Sequence, residues 1–88
     1  MTAATRVVVL ARDLHARPAG QVALAAARHP ATVELEVGPK RVNARSVLAV
    51  MALGAINGTE ITVTVTGPDA NTIANEIVDI LTSPETED

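Results

Sequence analysis

The stretch "EITVTVT" (60–66) alternates strictly, with Ile61, Val63 and Val65 on one side and Thr62, Thr64 and Thr66 on the other. Successive side chains of a strand point to opposite faces of its sheet, so this strand is buried on one face and wet on the other. The pattern predicts a largely antiparallel sheet covered by helices on one face only, with the threonines on the open side.

The other segments fit such a sheet. "TVELEV" (32–37) alternates in the same way, with Val33, Leu35 and Val37 inward and Glu34 and Glu36 outward. Gly38-Pro39 turns the chain into a short returning strand, "KRVN" (40–43). "TRVVVLA" (5–11) reads as a buried strand, since it is short, Val-rich and ended by charge. Residues 17–28 read as a helix started by Pro18 and stopped by His29-Pro30, with Val22, Ala23, Ala26 and Ala27 near one face and Leu24 to the side. Ser46 caps a short apolar helix, 47–53, stopped by Gly54. Asn57-Gly58 turns into the last strand. Gly67-Pro68-Asp69 breaks that strand and caps a helix over 70–82, whose Ile73, Ala74, Ile77, Val78 and Leu81 form one stripe. Residues 83–88 form an acidic tail expected to fray. The order is β-α-β-β-α-β-α, without repeats or linkers, and 88 residues suit a single domain.

The shared core has to be aliphatic, because the chain contains no Phe, Tyr or Trp. It contains no Cys either, so no disulfide or thiolate metal site contributes. No cofactor or metal site is indicated. The first residues show no apolar signal segment, and no apolar run approaches a membrane span, so the expectation is a soluble, cytoplasmic monomer. The net charge of −3 is unevenly placed: all seven basic residues precede residue 46, leaving +4 before that point and −7 after it. This is either ordinary surface charge or a basic face that docks an acidic partner. Nucleic acid fits poorly, as the basic residues are few and no aromatic side chain is present to stack on bases.

"LHARPAG" (14–20) carries the chemistry. His15 stands where a helix begins, a place whose exposed N–H groups and positive dipole end favour an anion. With an ordinary pKa of about 6.5, histidine is largely a neutral nucleophile at pH 7. A phosphoryl group on its ring would meet the amides of Ala16 and Arg17 and the Arg17 guanidinium. No second histidine, carboxylate pair or metal cluster accompanies it, which fits a carrier better than a hydrolase. On these grounds alone, a plain surface histidine in a turn is the favoured reading.

"LHARPAG" and "RSVLAVMALGA" (45–55), in this order of elements, resemble the histidine-containing phosphocarrier (HPr) family of the bacterial sugar phosphotransferase system. The resemblance spans nearly the whole chain. It implies an α+β open-faced β-sandwich of four antiparallel strands and three helices. It implies that His15 takes a phosphoryl group on Nδ1 from enzyme I, itself phosphorylated by phosphoenolpyruvate, and passes it to the enzyme IIA domains of sugar permeases, assisted by Arg17. The family's docking patch maps to Val47, Leu48 and Met51, with Gly20 and Leu24. Ser46 falls on the family's regulatory position, phosphorylated by a serine kinase in some lineages; as a residue it equally suits a plain helix cap. Three positions depart from the family pattern: Arg12 replaces a polar residue, Asp13 a small one, and Gly20 a Ser or Thr. They leave open which branch the protein serves, including nitrogen regulation or a dihydroxyacetone kinase. A regulatory binding role through Ser46 is a further alternative, disfavoured by the presence of His15. His29 is expected at a helix C-terminus, where a cation is favoured.

Overall fold

The computed structural model describes residues 2–84. Four strands, β1 (Ala3–Val9), β2 (Thr32–Val37), β3 (Lys40–Asn43) and β4 (Glu60–Thr66), alternate with three helices, α1 (Ala16–Ala27), α2 (Val47–Ala52) and α3 (Ala70–Thr82), in the expected order. The sheet runs β1-β4-β2-β3, and every pairing is antiparallel. Its register follows from the alternation in β4. Val63 lies opposite Arg6 on one side and Leu35 on the other, and Val65 opposite Ala4 and Val33. Shifting β4 by one residue would send its threonines into the core, so the pattern locks the pairing.

The inner face of the sheet carries Val33, Leu35, Ile61, Val63 and Val65, all at most 1% exposed. Above it lie Val22 and Ala26 of α1, Val50 of α2, and Ile73, Ile77 and Leu81 of α3, in one continuous cluster. With no aromatic ring to fill space, closure depends on small residues. Ala19, Ala25, Ala26 and Ala74 are buried between elements and let the backbones approach. Gly67 sits at φ 132°, a backbone conformation strained for any other residue, and a β-carbon there would crowd the Ala31 α- and β-carbons at 3.1 Å.

Several expectations are corrected. The first strand is Ala3–Val9 rather than 5–11, and it is the sheet edge, not a strand buried on both faces. Ala4 and Leu10 turn inward, while Val7 and Val9 are 59% and 57% exposed on the open face. A Val-rich run does not reveal that only one face of its sheet is covered. Helix α1 starts at Ala16, so Pro18 is its third residue, tolerated because that position needs no N–H partner. On this helix Ala27 is exposed, and Ala19 and Ala25 are buried in its place. Asp69 stands at the N-cap of α3 but makes no side-chain cap bond; it adopts a left-handed conformation, φ 59°. Of the tail expected over 83–88, residues 85–88 lie outside the described residues.

Candidate functional site

The segment leading to α1 is stitched to the segment leading to β4. The Leu10 N–H donates to the Thr59 carbonyl (2.9 Å), that of Gly58 to Leu10 (2.9 Å), and that of Leu14 to Ala55 (3.0 Å). Asp13, where the family pattern has a small residue, accepts a bond from the Asn57 N–H on Oδ1 at 2.7 Å. Leu14 is buried, 4% exposed, and anchors the corner. The next residue, His15, is therefore fixed by its backbone while remaining exposed.

His15 is the N-cap of α1, at φ −83° and ψ −168°, and its carbonyl accepts the first helical bond, from Ala19 N–H at 3.0 Å. Its side chain makes no cap bond. The first turn of a helix presents N–H groups that have no intrahelical acceptor. Here they belong to Ala16 and Arg17, since Pro18 has none. No acidic side chain occupies this turn. The local field thus favours an anion beside the imidazole. Arg17, one residue into the helix, is exposed and lines a groove between α1 and α3 together with Arg12 and Gln21.

Ser46 caps α2 as expected: its Oγ accepts from Ala49 N–H at 3.1 Å. A six-residue helix has one side to bury, and here that side is Val50. Val47, Leu48 and Met51 remain 37%, 78% and 38% exposed. On α1, against which α2 packs, Leu24 is 65% exposed, and Gly20 has open space where a side chain would stand. Ile56, 61% exposed in the loop after α2, extends the set of exposed apolar residues. It lies outside any periodic segment, so no pattern pointed to it.

A charged cluster at the far end of α1 was not legible either. Glu76 of α3 accepts from Arg28 and pairs with His29 Nε2 at 2.9 Å. The His29 bond, with support from Arg28 and against partial burial, holds the Glu76 carboxyl below the usual glutamate range. Arg45 Nη2 donates to the His29 carbonyl at 2.6 Å, tying the approach to α2 onto the end of α1. His29 does follow the helix end, but its partner is a carboxylate 47 residues away. Among the described residues, no three His, Cys, Asp or Glu side chains cluster as metal ligands, and no helix is long and apolar enough to cross a membrane.

The model of a family described as "PTS HPr component phosphorylation site" matches residues 3–83. The chain belongs to the HPr phosphocarrier family of the phosphotransferase system. It is 35% identical over 80 residues to the phosphocarrier protein HPr of Chlamydia pneumoniae, covering 91% of this chain and 74% of that one. The crystal structure of an HPr from Bacillus anthracis superposes with a TM-score of 0.86 at 28% identity, over 93% of this chain and all of the other. A Mycoplasma histidine-containing phosphocarrier protein gives a TM-score of 0.81 at 30% identity, covering 88% and 90%. The open-faced four-stranded sheet with three helices is thus the HPr fold.

Proposed function

We propose that His15 is the phosphoryl acceptor, taking the group from phospho-enzyme I and passing it to enzyme IIA domains of sugar permeases. The observation that supports this most is the placement of an exposed imidazole at the N-cap of α1, with Arg17 in the first turn and no acid there. The Nδ1 lone pair attacks phosphorus, the N–P bond forms, and the bond from phosphorus to enzyme I breaks. Nε2 keeps its proton. The amides of Ala16 and Arg17 and the Arg17 guanidinium then hold the phosphoryl oxygens. A carrier must not hydrolyse this bond, and the absence of an acid in the first turn of α1 suits that requirement.

Docking is assigned to Val47, Leu48 and Met51 of α2 with Leu24 and Gly20 of α1. A small apolar surface without aromatic anchors suits partners that bind briefly and exchange. Ser46, at the edge of this surface, is assigned a regulatory role as the target of a serine kinase, in addition to its cap. The protein acts as a monomer and a single domain in the cytoplasm, needs no cofactor, and engages neither nucleic acid nor membrane. The test is incubation with phosphoenolpyruvate and enzyme I. Acid-labile phosphate is expected on the wild-type chain, with slow incorporation in Arg17→Ala. Equal incorporation rates at low salt would exclude Arg17 as a ligand of the phosphoryl group.

A further inference from the structure

The groove between α1 and α3 has a volume of about 580 Å³. The two helices run antiparallel along it. At one end Ala11 N–H bonds the Leu81 carbonyl (3.2 Å), and at the other Arg28 bonds Glu76. Glu76 pairs with Arg28 and His29, and the rest of the lining includes Arg12, Arg17 and Gln21 together with a second carboxylate, the exposed Asp79 of α3.

Arg12 is the unusual member. It is 8% exposed, and it is the one buried charged or polar residue among those described. A guanidinium offers five N–H donors. Among the described residues, those of Arg12 make one long bond, Nη1 to Gln21 Oε1 at 3.4 Å, and no ion pair. Its Nε is buried without a partner among the described residues. Burying a cation with its donors unmet is unfavourable, and no carboxylate among the described residues pairs with it in compensation.

We propose that the part of the groove around Arg12 is a binding site for a phosphomonoester dianion, held by Arg12 and Gln21 and closed by Arg17. Guanidinium forks match the paired oxygens of a phosphate, and a dianion supplies the charge that Arg12 lacks. The groove is larger than a phosphate requires and falls within the size range of small-molecule sites. Leu24 adds an apolar wall, and Ser83, whose hydroxyl donates to the Asp79 carbonyl at 2.5 Å, leaves its oxygen to accept from a ligand hydroxyl, which suits a phosphate carried on a small polyol. A bound dianion also engages Arg17 and slows phosphoryl transfer at His15; this consequence, unlike the binding itself, rests on the function proposed above.

The test is a ¹⁵N NMR titration of the full chain, observing backbone amides and the Arg12 Nε–H. Inorganic phosphate and glycerol 3-phosphate are added in parallel, with sodium chloride at matched ionic strength as the control. Saturable shifts at Arg12, Gln21 and Ser83 are expected. Tighter binding of glycerol 3-phosphate would assign the site to organic phosphomonoesters, and equal binding to the phosphate group alone. Arg12→Met should weaken binding about tenfold or more, the loss of a charge-assisted bond. Gln21→Glu sets a carboxylate against Arg12 on an exposed helical position, so it folds whatever Arg12→Met does. It should raise the melting temperature and abolish phosphate binding. Shifts that stay linear and equal those caused by chloride overturn the proposal, as does unchanged binding in Gln21→Glu. No enzyme I is present in this titration, so its failure would leave the phosphocarrier reading intact, and a failed transfer assay would leave the groove.

Discussion

Ser46 separates stability from docking, because one side chain serves both. Its Oγ accepts from Ala49 N–H at 3.1 Å, and its carbonyl accepts from Val50 N–H at 3.0 Å. The helix it opens has six residues, so one cap is a large share of what holds it. Removing such a cap with Ser46→Ala costs about 0.5–2 kcal/mol. For a domain of this size, each 1 kcal/mol moves the melting temperature by about 4–8 °C. Ser46→Asp keeps an acceptor at the cap and adds a negative charge to the positive end of the helix, a gain of about 0.3–1 kcal/mol. The guanidinium of Arg45, the nearest basic residue in sequence, is held on the His29 carbonyl, and the new charge stands beside exposed Val47 and Leu48. Transfer kinetics should therefore diverge from stability. Ser46→Asp should melt at or above the wild-type temperature yet raise the apparent KM for enzyme I and its salt sensitivity, while Ser46→Ala should melt lower and transfer normally. Calorimetry and steady-state transfer on both variants decide the matter. If Ser46→Asp melts with Ser46→Ala, an acceptor at this position does not hold the helix; if it transfers like wild type, Ser46 is a cap and nothing more.

Further outcomes follow from the same geometry. Gly20→Ala should stabilise the protein by about 0.8–1 kcal/mol, since Gly20 lies within α1 and a β-carbon there meets nothing within 4 Å; thermal melting checks it, and a drop in midpoint would mean that neighbouring groups crowd the position. The depressed Glu76 pKa contributes stability that is present above the unfolded glutamate value of about 4.3 and is lost as pH falls through the lower folded value. Glu76→Gln should thus be less stable than wild type at pH 7, by about 0.2–1 kcal/mol for so exposed a pair, and the difference should vanish on acidification. Denaturant unfolding across pH would refute this if the gap persisted in acid. Leu48→Glu should leave the melting temperature near its original value, the side chain being 78% exposed, and impair transfer from enzyme I; unchanged kinetics would move the docking surface elsewhere.

The alternation in β4 and β2 and the stripe on α3 were enough to place the sheet, its covered face and its last helix, because each pattern has a period that belongs to one element alone. β1 was harder. Its valines have no alternation to read, and the exposure of Val7 and Val9 depends on one face of the sheet being uncovered, which is a property of the whole fold. Ser46 and Gly54 were legible at α2 because caps are local. Asp69 was legible as the N-cap position of α3 but not in its left-handed conformation, φ 59°, or in the missing side-chain cap bond. In the candidate site, the position of His15 could be inferred from Pro18, which marks the first turn of α1. What holds it there could not, because the Asp13–Asn57 bond joins residues 44 apart. Arg12 and Glu76 are of the same kind: single charged residues whose importance lies in partners brought in, or withheld, by the fold.

The proposed carrier chemistry turns on one nitrogen. The most direct measurement is ³¹P and ¹⁵N NMR of the chain after incubation with phosphoenolpyruvate and enzyme I, beside His15→Ala treated identically. The prediction is a phosphoramidate signal coupled to Nδ1 of His15, absent from a variant whose amide spectrum shows the fold intact. Phosphate coupled to His29, or persisting in folded His15→Ala, would contradict it.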